Sequence, residues 1–420
     1  MNSRAPERSG AALRRPRSGL PTDAKLLALS IFFAIAATNL LTPLLPEITA
    51  EFGISFSTAG LLVSSYVFAR LLTSIFVGSI ALRIGRVNLA WIALVSLFVG
   101  SLVGIASPTV EILLFSRILA GGGIGIISTL ALTALADLAP KGNRGQVMSL
   151  FQIAHNGGIA LYPVVGGVIG ALAGWRATFV VMAMGAALSA WLLIPVLQRV
   201  RAAQATRDGS ESEEDEVTMS RRRRAVSLSA ILAGVFATMF NRHGFRNTLL
   251  PLYAGVVLGL GPVAISTGIT AMSLVGVVIA MPGAMAGDRW GHRRLIVGGL
   301  LALAIGDLAF LLTGNYASFL VAATLLGLGD FFIGSQTALL ASVAPAAQRT
   351  QILGGFRFAT DAGALAGPIV LAALMDAFGP QTAMVGAAAV LCVAAIVSRV
   401  AISVGPPNRP SSPLDARVVD

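Results

Sequence analysis

The chain is poor in charge and almost devoid of cysteine. Only 12% of its 420 residues are Asp, Glu, Lys or Arg, about half the share of an ordinary soluble domain. With 55% hydrophobic residues, a soluble protein of this length could not hide its apolar surface. The single cysteine, Cys392, lies in an apolar run, which excludes an internal disulfide and a cysteine metal cluster. Nothing resembles a nucleotide-binding loop, a metal cluster or a catalytic triad. No cofactor and no metal is therefore expected, and the chain does not read as an enzyme.

What the chain has instead is apolar runs of membrane-spanning length, about 20 residues each. They cover 24–46, 58–81, 89–107, 111–138, 145–171, 176–197, 227–256, 262–286, 295–314, 317–343, 350–374 and 381–404. The first has a basic leader but is long and lacks a small-residue cleavage site, so it reads as a span and not a signal peptide. The expected fold is an all-α membrane protein of twelve transmembrane helices in two pseudo-symmetric six-helix bundles.

The symmetry comes from a duplication. At an offset of 205, Leu135, Ala136, Ala139, Pro140, Arg144, Gln146, Phe151, Ala154, Gly158 and Pro163 recur as Leu340, Ala341, Ala344, Pro345, Arg349, Gln351, Phe356, Ala359, Gly363 and Pro368. Many secondary transporters consist of two such halves with the substrate site between them. The predicted organisation is a cytoplasmic tail over 1–23, one bundle over 24–198, a cytoplasmic linker over 199–225, a second bundle over 226–404 and a tail over 405–420. The linker holds Glu211, Glu213, Glu214, Asp215 and Glu216 followed by Arg221 to Arg224, a charge block of the kind that stays solvated.

The net charge of +11 would suit nucleic acid, but its distribution argues for orientation. Of the thirty Lys and Arg, twenty-four fall in the termini, the even-numbered loops or adjoining helix turns; five lie deeper in helices, and Arg176 lies at an odd loop. The odd loops otherwise carry Glu47, Glu51, Glu111 and Asp376. Positive residues stay on the cytoplasmic side, so both termini are expected there, in a multi-pass protein of the cytoplasmic (inner) membrane with no nucleic-acid partner.

Two loops carry a repeated motif. The first holds Gly78, Arg83, Gly85 and Arg86; the second holds Asp288, Arg289, Gly291 and Arg293. The motif resembles the cytoplasmic signature of the major facilitator superfamily, a Gly, three residues, then Asp-Arg-x-Gly-Arg-Arg. The resemblance covers all twelve predicted helices. It implies a gate that locks the two halves on the cytoplasmic side, although Leu82 stands where the first Asp belongs and Ala284 where the second leading Gly belongs. Glycine suits the tight turn. Gly158, Pro163 and Gly167 in the fifth span, repeated as Gly363, Gly367 and Pro368 in the eleventh, resemble the helix-bending Gly-Pro motif of the family's proton-coupled exporters, with Tyr162 in place of the glycine before Pro163. Pro bends a helix and Gly lets a neighbour approach. Arg117 followed by Gly121 and Gly123 resembles the family's fourth-helix motif.

Charges inside the hydrocarbon are costly and suggest function. Arg70, Arg117, Arg242, Arg246 and Arg357 face Asp307, Asp330 and Asp361, a positive excess that suits an anionic or polyhydroxyl substrate. In the family's architecture the first, fourth, seventh and tenth spans line the cavity. Arg242 and Arg246 share a face there, and Asn39 and Asn247 correspond at an offset of 208. The candidate substrate-binding residues are thus Arg242, Arg246, Asn39, Arg70, Arg117, Asn156 and Asn247. Guanidinium does not deprotonate, so proton coupling falls to Asp361, Asp330, His243 or His155. Asp361 ranks first because it pairs with Asn156 in the repeat, although Arg357, four residues earlier, could simply neutralise it. Asp307, on a support span, reads as a structural partner. The expected function is secondary active transport of a small organic solute by a monomer in the lipid bilayer, as proton-coupled efflux. An importer or exchanger of organic anions, or a non-transporting receptor on the same scaffold, remains open.

Overall fold

The structure, a computed structural model, describes residues 22–138, 144–204, 221–332, 335–336, 339–340 and 349–402. Among them the ordered elements are helices: α1 (Thr22–Asn39), α2 (Leu45–Phe52), α3 (Phe56–Ile84), α4 (Arg86–Ile105), α5 (Val110–Leu138), α6 (Arg144–Ala173), α7 (Trp175–Gln204), α8 (Arg221–Phe240), α9 (Leu250–Val256), α10 (Pro262–Trp290), α11 (His292–Ala309), α12 (Tyr316–Leu328), α13 (Arg349–Phe378) and α14 (Pro380–Ala401). Among the described residues, ten helical stretches are long and apolar enough to cross a membrane, and a shorter apolar helix covers Tyr316–Phe332. Large apolar side chains lie bare along their flanks, Leu82 at 89% and Leu312 at 86% exposure among them. In water such surface would be untenable; against lipid it is the favoured exterior.

Three predicted spans are interrupted. The first stops at Asn39; a 3-10 turn over Thr42–Leu44 follows, and α2 restarts at Leu45. Pro43 and Pro46 are the cause, since each lacks an N–H and clashes with the preceding turn. In the seventh predicted span, α8 gives way to a π-helix over Asn241–Leu249 before α9. The tenth stops as α-helix at Leu328 and tightens into a 3-10 turn over Gly329–Phe332. The predicted linker is helical at both ends, because α7 runs to Gln204 and α8 begins at Arg221. Its middle, most of the N-terminal tail, the whole C-terminal tail and the Ala139, Pro140, Ala341, Ala344 and Pro345 positions of the repeat lie outside the described residues.

The repeated loops keep their turns short with one glycine each. Gly85 joins α3 to α4 at φ 83°, ψ 151°, and Gly291 joins α10 to α11 at φ 88°, ψ 130°. These are extended conformations at positive φ that residues with a Cβ avoid. Buried apolar side chains form two clusters. One is built almost wholly from α1 to α7, with Ala364 added; the other from α8 to α14, with Leu45 and Ala59 added. The clusters meet where α3 packs on α13 and α6 packs on α10.

Candidate functional site

The α3–α13 seam is zipped from one end. There the Asp376 carboxylate of α13 accepts hydrogen bonds from the backbone N–H of Phe56 (3.0 Å) and Ser57 (2.7 Å) and from the Ser57 hydroxyl. It thereby satisfies first-turn donors of α3 that have no partner within the helix. One turn deeper, Gly60 lies against the carbonyl of Pro368, with no room for a Cβ. Ser64 donates to the Leu365 carbonyl at 2.9 Å. At mid-depth Arg70 of α3 forms an ion pair with Asp361 of α13. The α6–α10 seam is similar: Gly167 meets Ser266 and Pro262, and Thr270 donates to the Ala160 carbonyl at 3.3 Å.

Asp361 is therefore not neutralised by Arg357. The α13 helix turns Arg357 outward, where it is exposed and donates to Thr129 of α5 at 3.2 Å. Sequence spacing allowed the local pair; packing of α3 on α13 supplied a different cation 291 residues away.

The π-helix carries the second charged group. Its Arg246 donates to Asp330 at 2.7 Å and to the Leu326 carbonyl at 3.2 Å, and Arg242 reaches the same Asp330 oxygen at 3.4 Å. Both proposed ligand arginines are thus tied to a carboxylate: Arg246 is buried and committed, whereas Arg242 is half-buried at the longer distance. The wider π-helix winding suits this task, since such insertions cluster at functional sites. Close approach helps to hold it, because Gly244 lies against Gly367, and Gly363 and Gly367 lie against the carbonyls of Phe236 and Phe240. Pro368 sits inside α13 and Pro163 inside α6.

A small cavity of about 30 Å³ is lined by Thr42, Tyr66, Arg117, His243, Asn247 and apolar side chains, and by none of the paired charges. Arg117 stacks over the Tyr66 ring at 4.9 Å, a contact that holds a guanidinium on a π face. Of the two histidines, His243 lines the cavity and His155 does not. His155 stacks on Phe151, and among the described residues its Nδ1 has no hydrogen-bond partner. Asn39 is buried, Asn156 is exposed, and neither lines the cavity. Counted by name, Arg70, Arg117, Arg242 and Arg246 stand against Asp330 and Asp361.

The loop motif is remote from this cavity. Gly78 is exposed with open space beside it, and Arg83 lies in the exposed last turn of α3. Arg86 pairs with Asp137 at 2.6 Å. Arg289 occupies the last turn of α10, and Arg293 donates to the Ile402 carbonyl at 3.2 Å. The Asp288 side chain lies outside the described residues. The sequence reading missed Asp376 as a bridge between α3 and α13. Its only advance signal was a carboxylate at the end of a span facing a Ser-Phe-Ser helix start.

Glu51 lies beyond the spans, beside the first turn of α7. The Trp175 indole N–H (2.6 Å) and then Arg176 donate to it, and these bonds hold its carboxyl below the ordinary Glu value. Arg176 also stacks on the Trp175 ring. The one arginine that departed from the charge rule thus sits in a local structural cluster.

Long apolar helices with lipid-facing exteriors and ion pairs buried between them define a multi-pass helical membrane protein. The family model described as the Major Facilitator Superfamily matches residues 27–279 and 231–417, and the chain belongs to that family. It is 27% identical over 305 residues to a galactose-proton symporter of Escherichia coli, the alignment covering 62% of this chain and 63% of that one. It is 24% identical over 251 residues to the quinolone resistance protein NorA of Staphylococcus aureus, covering 60% and 63%. In each case the match spans less than two thirds of the relative. Among solved structures, a bacterial homologue of the human lysosomal transporter Spinster, in an inward-facing and unoccupied conformation, superposes with a TM-score of 0.72 at 15% identity, over 91% of this chain and 98% of that one.

Proposed function

We propose that the chain is a secondary active transporter that moves a small organic solute across the cytoplasmic membrane by alternating access, with efflux driven by proton entry. The two bundles, 24–198 and 226–404, rock about the cavity as twelve spans, the first, seventh and tenth being the interrupted ones. The carrying observation is the Arg70–Asp361 pair, which spans the seam between the bundles at mid-depth. A carboxylate there is bound to its cation when ionised and releases it when protonated, so proton occupancy and seam geometry are linked. With both termini cytoplasmic, the zipped ends of α3 and α13 lie on the outer side and the state is inward-facing, as in the Spinster homologue. Efflux rests on the Gly-Pro motif of α6 and α13 and on the likeness to NorA.

The guanidinium excess favours a second reading, an importer or exchanger of organic anions. Protonating Asp361 would leave Arg70 as an unpaired cation on the seam between the bundles, which would favour an anion.

Both readings require Asp361 to couple a gradient to movement. Asp361→Asn in proteoliposomes is expected to abolish uptake or release driven by an imposed pH gradient while sparing equilibrium ligand binding. Transport that remains gradient-driven in the variant would end the proton role; loss of binding as well would make Asp361 structural. Melting-temperature screens with organic anions and lipophilic cations separate the substrate classes, because a ligand of the native state stabilises by mass action. Stabilisation by anions, lost in Arg242→Ala, would put the second reading first.

A further inference from the structure

Asp307 of α11 is buried, and so is Asn241, the first residue of the π-helix. The Asn241 Nδ2 group donates to Asp307 Oδ2. Among the described residues Asp307 has no ion pair. Among the described residues, Asp307 Oδ1 and Asn241 Oδ1 have no hydrogen-bond partner. A buried ionised carboxylate needs paired charge or several donors, and Asp307 has a single neutral one. A proton on Oδ1 would give that oxygen an O–H donor, and Asn241 Oδ1, on the amide that already bonds Asp307, offers an acceptor. Both orphaned atoms would then be satisfied at once in a closed acid–amide ring.

We propose that Asp307 and Asn241 form a second proton-binding site, separate from the cavity, in which Asp307 is the neutral acid at neutral pH. The proton fixes the start of the π-helix to α11. Among the described residues, one charged group on the surrounding elements acts on the site. Arg246, on the same π-helix, places its field on Asp307 while its hydrogen bonds go to Asp330 and Leu326, and among the described residues its Nε has no hydrogen-bond partner. Asp330, on the 3-10 turn packed against α11, is held by Arg246 and Arg242. Arg289 and Arg399 lie in the last turns of α10 and α14, beside the start of α11 and about 20 Å from Asp307 at 1.5 Å per residue. Loss of the Asp307 proton would create a carboxylate competing with Asp330 for Arg246. The site would therefore make the Arg246–Asp330 pair depend on a proton bound elsewhere. This holds whatever the substrate or direction of transport.

The sign follows from linkage. A carboxyl protonated in the folded state and ionised in the unfolded chain withdraws stability as pH rises from its unfolded titration to its folded one. The test is infrared spectroscopy of the purified full-length protein together with melting temperatures across pH. Wild type should show a protonated-carboxyl C=O band at neutral pH that is absent in Asp307→Asn. That variant should keep the melting temperature, because an asparagine can form the same ring with Asn241, and should lose the decline that wild type shows as pH rises above about 4. Asp307→Leu and Asn241→Leu should each melt several degrees lower. An Asp307→Asn protein that retains the whole band, melts as low as Asp307→Leu or fails to fold would overturn the proposal.

Discussion

Removing the Asp376 carboxylate should open the seam on the α3 start side without unfolding α3. In Asp376→Ala, the Phe56 and Ser57 amides and the Ser57 hydroxyl lose their common acceptor. The helix keeps its own cap, because the Ser55 side chain still accepts from Thr58 N–H at 3.2 Å. A side-chain cap contributes about 1 kcal/mol, with a range of roughly 0.5–2; Asp376 is exposed, so solvent screening holds the value to the lower part of that range. About 1 kcal/mol corresponds to a factor of about five between two states. The loss falls on the zipped state alone, since the bond joins α3 to α13. The assay is the rate at which an impermeant maleimide, added outside cells, labels Val63→Cys in a background where Cys392, the one native cysteine, is replaced by Ser. Val63 lines the cavity. Labelling should rise about fivefold in Asp376→Ala and by less in Asp376→Asn, which keeps one acceptor oxygen. An unchanged or slower rate in Asp376→Ala would refute the reasoning, because the bond would then contribute equally to both states.

Two further predictions concern packing and pH. Gly363→Ala places a methyl group against the Phe236 carbonyl and the Phe240 amide; backbone cannot move aside as a side chain can, so a cost of about 1–3 kcal/mol is expected. It would be read as a lower melting temperature, whereas Gly354→Ala, with open space around it, should melt like wild type. The Glu51 carboxyl is held below its ordinary value by Trp175 and Arg176. A depressed folded value gives stability that is present above the unfolded value and lost as pH falls through the folded one. Wild type should therefore lose a small increment of melting temperature below about pH 4, and Glu51→Gln should show less of that acid decline. The increment is small because the group is largely solvated; an identical acid limb in Glu51→Gln would count against the assignment.

Legibility from sequence differed by kind of feature. Gly85 and Gly291 were readable as turn glycines because backbone conformation is a local demand, and both occupy positive φ in the structure. Pro43 announced a bend but not that α1 would end four residues before it. The π-helix left no signal, since Asn241 to Leu249 has the same polar-apolar mixture that an α-helix would tolerate. Asp307 was correctly read as partnered within the structure, yet its partner, Asn241, could not be named. Arg357 and Asp361 show the reverse error. Their spacing of four residues is ideal for a pair on one helix, and the helix presents them to different neighbours.

By itself the sequence determined that the chain is a multi-pass membrane protein, that a pattern of residues recurs at an offset of 205, and which charged residues stand inside apolar runs. Run length, repeat offset and composition suffice for that, because the lipid acts on each segment separately. Tertiary structure alone decided which charge meets which. It set Arg70 on Asp361 and Asp376 on the first turn of α3, and it drew Arg242 and Arg246 together on Asp330. These pairings join residues 84 to 320 positions apart, and no local rule reaches across that distance. Packing of small residues, Gly60 on Pro368 and Gly363 on Phe236, brings the helices near enough for the charges to find one another.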